Sequence, residues 1–493
     1  DRLHRETGRS QGALQQQRRY DEMGRRSWQS SAFGHDKLTR PEDGALWRAF
    51  RYTGRGELAG VSDALRGEVH YGYDAEGRLL QHREPAQGKP GSRLVYDMAD
   101  NLLGEKGPNS DVETHLPLAP IADNRLSHWQ KLFYRYDAWG NLVSRRNGIY
   151  EQHYRYDADN RLIQARGRGP QGEFDAQYHY DALGRRSRKV VQHKGKAAQT
   201  TRFLWQGYRL LQEQRADGSR RSWSYDPASP WSPLAVLEQA GDSRSAEIYW
   251  YHTDLNSAPL EVTDAAGNLC WSGQYDTFGK LQGQTVAGAA RRNGAQYDQP
   301  LRYAGQYQDD ESGLHYNLFR YYEPEVGRFT TQDPIGLRGG LNLYQYAPNP
   351  LGWIDPLGLA VDPIAKLEDR GFSGVVKTPA GGLDYSGSDA LYNLREGVNP
   401  IVKIEYTGDY LQDFTAANIK AGLNQKTTPS GYVWHHLDDY NHETNMGTMQ
   451  LVKQKAHQGI SHVGGVSQYK AATGKAYTFP ARNRVRKPVG GNC

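Results

Sequence analysis

The stretch FYRYDAWGNLV, residues 133–143, belongs to a motif that recurs along the N-terminal part of the chain. The other copies are RRYDEMGRR (18–26), YGYDAEGRLL (71–80), LVYDMADNLL (94–103), HYRYDADNRLI (153–163), QYHYDALGRRS (177–187) and GQYDTFGKL (273–281). Their tyrosines recur at intervals of 20, 23 and 24 residues, and one interval of 40 holds two units with one degenerate copy. A fixed period in the twenties indicates an array in which each unit packs mainly on its neighbours.

Each repeat reads as a β-hairpin of about twenty residues. The alternation Tyr154-Arg155-Tyr156 has the period of two that a strand requires. Asp then opens a turn, because its carboxylate binds backbone amides two residues on, and Gly or Asn takes the position with positive φ. An apolar pair such as Leu79-Leu80 begins the return strand. The repeated Tyr and Asp residues are therefore expected to be structural.

The composition agrees with a β structure and excludes several classes of protein. Hydrophobic residues make up 37%, while 33 Tyr and 55 Gly suit sheets and turns. A net charge of +5 is too mild to indicate nucleic acid by itself. The two cysteines, Cys270 and Cys493, exclude a disulfide scaffold and a Cys-based zinc site. No membrane segment is predicted, and a chain that begins at Asp1 is expected to be a fragment of a longer protein.

One pentapeptide occurs twice after the repeats, as DPIGL (333–337) and DPLGL (355–359). Asp-Pro-x-Gly is ordinary turn chemistry. Alternatively, Asp333 and Asp355 could share a proton and act as an acid/base pair on a peptide bond. The Tyr-Asp units also end here, which indicates a domain boundary.

Five of the sixteen histidines lie within residues 431–465. Two β-prone runs, GYVWHHL (431–437) and TMQLV (448–452), flank a loop and precede a helical or turn segment, which is the layout of a ββα-metal finger. The adjacent His435 and His436 point to opposite faces of a strand. One can then face a metal and the other a water or substrate. An all-imidazole site with open positions suits hydrolysis assisted by Zn, Ni, Mn or Mg.

Three further histidines and a basic cluster complete the candidate residues. His457 and His462 are close enough in sequence to converge on one ion, whereas His442 lies in the loop and is expected to be exposed. A basic tail is usually exposed to solvent, but it could also bind phosphates. Its residues are Arg482, Arg484, Arg486 and Lys487.

The repeats and residues 302–337 resemble the Tyr-Asp repeats and core C-terminal signature of Rhs polymorphic toxins, over residues 1–359. The resemblance implies that the repeats coil into a hollow β-cocoon. PLGWIDPLGL (350–359) is similar to the Rhs junction, where paired aspartates cleave the chain. The resemblance implies that Asp333 and Asp355 are the paired aspartates and that the Leu359–Ala360 bond is cleaved.

The C-terminal part resembles the WHH branch of the HNH/endonuclease VII superfamily. The matching motifs are GGLDYSGSDALY (381–392), VKIEYTGDYLQDFTAANIKAGL (402–423), TPSGYVWHH (428–436), GTMQLV (447–452), AH (456–457) and SHVGG (461–465). The resemblance implies that His435, His457 and His462 bind a divalent metal and that His436 is the general base, with Tyr432 and Trp434 packing the finger.

Two features depart from the colicin-type motif. The final histidines are five residues apart instead of four, and Thr448 stands about where that motif has Asn. The spacing fits a turn or a distorted helix better than a regular helix, so His462 is the least secure ligand.

The fold class that follows is mainly β, with a hairpin array forming a cocoon-like shell and a small α+β domain that carries the finger. The predicted domains are a repeat shell (1–300), a core C-terminal segment with the self-cleavage junction (301–359) and a nuclease domain (360–493).

The predicted function is that of an interbacterial toxin with a metal-dependent DNase tip, released by self-cleavage. The alternatives are an RNase on the same finger and a structural or adhesive repeat protein whose tip only binds. The resemblance further implies a cognate immunity protein, a secretion spike and chaperone contacted through a missing N-terminus, type VI secretion, and action in the target-cell cytoplasm.

Overall fold

A computed structural model describes the chain from residue 1 to residue 477. The gaps within this range are residues 2–4, 22–23, 35–37, 55, 75–76, 85–91, 98, 107–120, 228, 242, 244, 287–297, 341, 348, 360–363, 365–366, 368–369, 379–381, 424–426, 458–463 and 476. The chain divides into two compact units, residues 1–53 with 57–360 and residues 54–56 with 361–493.

The first unit is built from two long antiparallel meanders, in which each strand pairs with the next along the chain. In the described residues the first sheet has nine strands: β1 (Gly8–Gln11), β2 (Leu14–Tyr20), β3 (Arg26–Phe33), β4 (Leu46–Tyr52), β5 (Leu58–Asp63), β6 (Gly67–Tyr73), β7 (Leu79–Arg83), β8 (Ser92–Tyr96) and β9 (Leu102–Lys106).

The second meander has fifteen strands among the described residues: β10 (His128–Trp129), β11 (Leu132–Tyr136), β12 (Leu142–Asn147), β13 (Tyr150–Tyr156), β14 (Leu162–Gly169), β15 (Gly172–Tyr180), β16 (Arg186–His193), β17 (Gln199–Gln206), β18 (Arg209–Gln214), β19 (Arg220–Asp226), β20 (Ser229–Gln239), β21 (Glu247–Thr253), β22 (Pro259–Asp264), β23 (Leu269–Tyr275) and β24 (Leu281–Val286). Short 3₁₀ turns lie at Pro41–Asp43, Ala122–Asn124 and Gly336–Gly339.

The repeat turns close on themselves through the aspartate. In the turn after β13, Asp157 Oδ1 accepts the backbone N–H groups of Asp159 and Arg161, both at 2.9 Å. Its Oδ2 accepts Nε of Arg161 at 2.8 Å. Asn160 takes the left-handed conformation, with φ of 58°, and the register shifts at Tyr156. The motif therefore satisfies its own polar groups within five residues.

The tyrosine that precedes each of these aspartates links its strand to the preceding repeat. Tyr156 donates its hydroxyl hydrogen to the carbonyl of Leu142 at 2.9 Å, and Tyr180 does the same to Leu162 at 2.6 Å. Tyr154, two residues earlier than Tyr156, is buried in the core between strands. One ring of the alternation thus packs the interior while the other ties neighbouring repeats together.

The segment after the repeats is almost completely buried within the first unit. It forms a small antiparallel sheet of β25 (Tyr307–Gln308), β26 (His315–Asn317), β27 (Arg320–Glu323) and β28 (Arg328–Phe329). Its tyrosines join the core of the second meander, as in the contact of the Tyr178 and Tyr321 rings at 5.6 Å. This packing holds β27 in the interior, and β27 carries a residue of the junction.

The second unit is a small α+β structure. Its strands are β29 (Val376–Lys377), β30 (Leu383–Asp384), β31 (Ile401–Glu405), β32 (Tyr432–His436) and β33 (Met446–Lys453), and its described helices are α1 (Tyr410–Lys420), α2 (Gln454–His457) and α3 (Gly465–Thr473). The three longer strands form an antiparallel sheet in the order β31-β33-β32, which leaves β32 at an edge.

The two faces of this sheet pack into separate cores. Trp434 and Leu451 lie on the face that α1 covers, together with Ala417 of that helix. Val452 and Ala456 belong to the other core, with Leu383 of β30. Asp409 caps α1 by accepting the N–H groups of Leu411 and Gln412.

The mainly β fold with a hairpin array and a small α+β unit is confirmed. The strand, strand and helix layout of the finger is also present as β32, β33 and α2. Within the part of the chain that the structure describes, no helix has the length and apolar character needed to cross a bilayer.

Candidate functional site

The two copies of Asp-Pro-x-Gly-Leu both fold as turns. The N–H of Gly336 donates to the carbonyl of Asp333 at 2.9 Å, and the N–H of Gly358 donates to that of Asp355 at 3.4 Å. Asp355 Oδ1 also accepts the N–H of Leu359 at 2.8 Å, which holds the residue before the predicted cleavage point against the carboxylate. The turn interpretation is therefore correct.

Arg320 brings the two aspartates together. Its Nη2 lies 3.0 Å from Asp333 Oδ2 and 3.5 Å from Asp355 Oδ2. Its Nε donates to the carbonyl of Gly358, inside the second turn. The three side chains are 0%, 2% and 5% exposed, in the order Arg320, Asp333, Asp355. The structure places both aspartates at one buried cation, whereas the prediction had them share a proton, and their role in self-cleavage stays a prediction.

Because this cluster is buried, the pKa values of its groups differ from those of surface ion pairs. Burial raises the pKa of Asp355 to about 6, although the Arg320 charge lowers it. Burial also lowers the pKa of Arg320 to about 10, so the guanidinium stays charged at neutral pH. Asp355 therefore takes up a proton far more readily than an ordinary aspartate.

His435 lies on the sheet face that carries β30 and α2. Its Nε2 lies 2.8 Å from the carbonyl of Leu383, and since a carbonyl only accepts, Nε2 is the protonated nitrogen. This leaves the lone pair on Nδ1, which lies 3.2 Å from Nε2 of His457. His435 is 1% exposed, and its ring packs edge-on against Tyr385. The backbone of β30 thus orients the imidazole.

The His435–His457 pair fits a metal ion. Two imidazole ligands of a tetrahedral ion, each bonded at about 2.0–2.1 Å, place their nitrogens roughly 3.3 Å apart. The observed separation of 3.2 Å is that of a hydrogen bond between the two imidazoles, and it is also compatible with two nitrogen ligands of one ion. Among the described residues, no group of three or more His, Cys, Asp or Glu side chains is arranged to hold a metal. His462, the predicted third ligand, lies outside the described residues.

His436 lies on the opposite face of the sheet, with α1. Its Nε2 lies 3.3 Å from Oδ2 of Asp413, and it is 6% exposed. Four aromatic rings surround it with centroid distances of 5.1–5.8 Å, those of Tyr406, Tyr410, Phe414 and Tyr477. Burial lowers the pKa of His436, while Asp413 raises it.

The remaining predicted residues fall into three groups. Trp434 packs the finger as expected, with Nε1 donating to Asn418 at 2.8 Å, and Tyr432 stacks edge-on with Tyr392. His442 is exposed in the loop. The basic tail lies outside the described residues: Arg482, Arg484, Arg486 and Lys487.

Sequence reasoning did not find several residues that shape these sites. Arg320 lies 13 residues before Asp333 and follows no local pattern that would mark it. Asp413 and Leu383 act across the tertiary structure on His436 and His435. Asp413 stands in the stretch resembling the WHH branch, but nothing about its position on a helix indicated a histidine partner.

Family models match both parts of the chain. The Teneurin YD-shell model covers residues 57–350. The chain belongs to the YD-shell family. Residues 424–472 match the family described as a nuclease of the HNH/ENDO VII superfamily with conserved WHH. The predicted resemblance to Rhs toxins that carry a WHH-type nuclease domain is confirmed.

Three curated relatives of this YD-shell chain are toxins or enzymes by name. Double-stranded DNA deaminase toxin A of Burkholderia cenocepacia is 43% identical over 73% of this chain and 25% of its own. Toxin protein Tse5 of Pseudomonas aeruginosa is 33% identical over 73% and 30%. Probable deoxyribonuclease RhsA of Dickeya dadantii is 32% identical over 74% and 24%. This chain spans between about a quarter and a third of the length of these relatives.

A solved structure is also similar to the YD-shell chain. The crystal structure of TcdB2-TccC3-Cdc42 covers 70% of this chain and 20% of that chain, with 17% identity and a TM-score of 0.42.

Proposed function

We propose that the second unit is a metal-dependent phosphodiester hydrolase, most simply a DNase, at the C-terminal end of a Rhs-type toxin. The observation that carries the proposal is the pair of imidazole nitrogens, His435 Nδ1 and His457 Nε2, 3.2 Å apart in a finger that matches the WHH nucleases. His435, His457 and His462 would hold the ion. When bound, the ion would supply Lewis-acid stabilisation of charge on a phosphate.

The position of β32 at the sheet edge supports the proposal that His435 and His436 serve one reaction. Consecutive side chains of a strand point to opposite faces, and an interior strand would keep two such groups apart. At an edge strand, a phosphodiester can lie across the edge and meet both residues. With the Nε2 hydrogen directed at Asp413, Nδ1 of His436 carries the lone pair that can accept a proton from an attacking water.

DNA is the favoured substrate because two of the similar proteins, RhsA and RhsB of Dickeya dadantii, are named probable deoxyribonucleases. An RNase on the same finger is the alternative, since both reactions hydrolyse a phosphodiester. The toxin would act in the cytoplasm of a target bacterium after secretion through a type VI apparatus, with spike and chaperone contacts upstream of this chain. A cognate immunity protein would cover the site in the producing cell.

The test uses the full chain and three matched variants. We expect nicking of supercoiled plasmid by the wild type, its loss on addition of EDTA, and its recovery with excess divalent metal. His435→Ala and His436→Ala should each lower the rate about 100-fold or more. His442→Ala is the control, because this histidine of the same finger is exposed in the loop.

The outcomes separate the alternatives. Cleavage of RNA with intact plasmid would assign an RNase. If neither DNA nor RNA is cut with any divalent metal, and bacteria that express the chain survive like those with His436→Ala, the tip is a binding module and the nuclease proposal is wrong.

We also propose that the first unit cleaves the Leu359–Ala360 bond by itself. The convergence of Asp333 and Asp355 on Arg320 supports this second activity. Asp333, closer to the guanidinium, acts as the ionised base and takes a proton from water, which attacks the Leu359 carbonyl carbon. Asp355, whose protonated form burial favours, donates its proton to the departing nitrogen. The C–N bond breaks and leaves a Leu359 carboxylate and an Ala360 amine.

Intact-mass measurement of the purified chain tests this second proposal. We expect two fragments that separate after Leu359 in the wild type and a single intact chain for Asp333→Asn. An intact wild-type chain would overturn the proposal, as would equal cleavage in wild type and variant.

A further inference from the structure

The chemistry proposed above uses the buried carboxylate beside His436 only as the acceptor of the Nε2 hydrogen. Asp413 lies in the first half of α1 and is 0% exposed. Its Oδ2 accepts Nε2 of His436 at 3.3 Å and also the hydroxyl of Tyr477. Burying a charged carboxylate is costly unless it is hydrogen-bonded. Asp413 therefore needs its hydrogen-bond partners to stay charged in the interior.

Asp413 is held rigidly on its other side. Its Oδ1 accepts the backbone N–H of Thr407 at 2.9 Å and the Thr407 hydroxyl at 2.7 Å. Burial alone would raise the pKa of Asp413, but the hydrogen bonds from His436, Thr407 and Tyr477 lower it below its ordinary value. The carboxylate is therefore ionised, and an ionised carboxylate can only accept hydrogen bonds.

We infer that Asp413 is a positioning residue for His436, which it holds in the tautomer protonated at Nε2 so that Nδ1 faces the reaction. The inference rests on the proposed nuclease function and assigns a part of its machinery. A carboxylate behind an imidazole keeps the ring in one orientation and stabilises the imidazolium that forms when the ring accepts a proton.

The aromatic rings around the pair strengthen this assignment. The rings of Tyr406, Tyr410 and Tyr477 each meet His436 nearly edge-on, at interplanar angles of 83–88°. His436 is 6% exposed and Asp413 is 0% exposed, so the hydrogen bond between them is buried. A low-dielectric surrounding makes the Asp413–His436 hydrogen bond stronger than it would be in water.

The experiment compares full-chain Asp413→Asn with Asn418→Ala in the nuclease assay. Asn418 is a matched control because it also lies on α1, is also 0% exposed and also bonds to β32, but at Trp434. We expect Asp413→Asn to lower kcat about 100-fold with KM within about threefold. Asn418→Ala should keep kcat within about threefold, whatever it does to stability.

A spectroscopic measurement on the metal-free wild-type chain gives an answer that does not depend on how the variant folds. Nitrogen-15 NMR of labelled histidines, with His436→Ala for assignment, should show His436 protonated at Nε2. An Nδ1-protonated ring would overturn the inference, as would equal kcat in wild type and a folded Asp413→Asn. If the wild type cuts no nucleic acid, the proposed function fails, and the NMR result still decides whether Asp413 sets the tautomer.

Discussion

The turns of the repeats and the turns of the junction both contain an aspartate, but its surroundings differ between the two. In the repeat turn, Asp157 binds backbone and side-chain groups no more than four residues away, and its side chain is 23% exposed. At the junction, Asp333 and Asp355 share the buried Arg320, which comes from β27. A carboxylate that is satisfied locally in water stays a structural element. Burial raises the pKa of Asp355, which lies beside this cation, and a carboxylate with a perturbed pKa is a candidate for acid/base chemistry.

The largest contrast is expected in the cleavage reaction. Asp355→Asn should lower the rate of cleavage after Leu359 by about 10²–10⁴-fold, because an amide cannot donate the proton that the departing nitrogen needs. The rate is measured by mass spectrometry at successive times after the chain is synthesised by cell-free translation, before cleavage is complete. Asp157→Asn, at a repeat turn, should cleave like the wild type. A cleaved Asp355→Asn chain would remove the distinction between the two kinds of turn.

The next contrast concerns stability. Arg320→Gln leaves two buried carboxylates without their cation and should lower the free energy of unfolding of the first unit by about 3–5 kcal/mol. Arg161→Gln removes a partly exposed partner of Asp157, with 30% of its side chain exposed, and should cost at most about 1 kcal/mol. Denaturant unfolding followed by tryptophan fluorescence measures both. Equal losses of unfolding free energy would show that Arg320 stabilises the protein no more than the partly exposed Arg161 does.

A smaller effect is expected from pH. Burial raises the pKa of Asp355 to about 6, so the protonated form that donates a proton is present below that pH and is depleted above it. The cleavage rate should therefore fall about tenfold per pH unit above pH 6. A time course between pH 5 and pH 9 provides the measurement. A rate that rises across this range would assign the reverse roles to the two aspartates.

The smallest effect lies within the repeats. Tyr156→Phe removes the hydroxyl bond to Leu142 between neighbouring repeats and should lower the free energy of unfolding by about 0.5–1.5 kcal/mol. Cleavage should stay unchanged, since the repeat contacts no junction carboxylate through this hydroxyl. A large loss of cleavage in this variant would show that the repeats and the junction are coupled.

Much of the fold could be predicted because its determinants are close in sequence. Each repeat turn needs Asp157, Asn160 and Arg161 within five residues, so a short window contains the whole set of hydrogen bonds. The finger was equally readable, since the strand that holds Trp434, His435 and His436 is one β-prone run. The metal ligands His435 and His457 and the base His436 stay predictions.

The two Asp-Pro-x-Gly copies show what could not be predicted from the local sequence. Their turns follow from the local sequence, but the meeting of Asp333 with Asp355 depends on Arg320. Burial, opposed by the Arg320 charge, decides how far the pKa of Asp355 differs from that of a surface aspartate. No periodicity or spacing identifies the cation.

By itself, the sequence determined the hairpin repeats, the junction turns and the strand with its paired histidines, because each depends on backbone geometry and hydrogen bonds between near neighbours. Only the tertiary structure decided which groups became partners at the sites. Arg320 reached the junction carboxylates, Leu383 set the tautomer of His435, and Asp413 met His436. The physical reason is that charge sharing and tautomer selection need groups brought together in a water-poor interior, and chain folding over long sequence separations creates that environment.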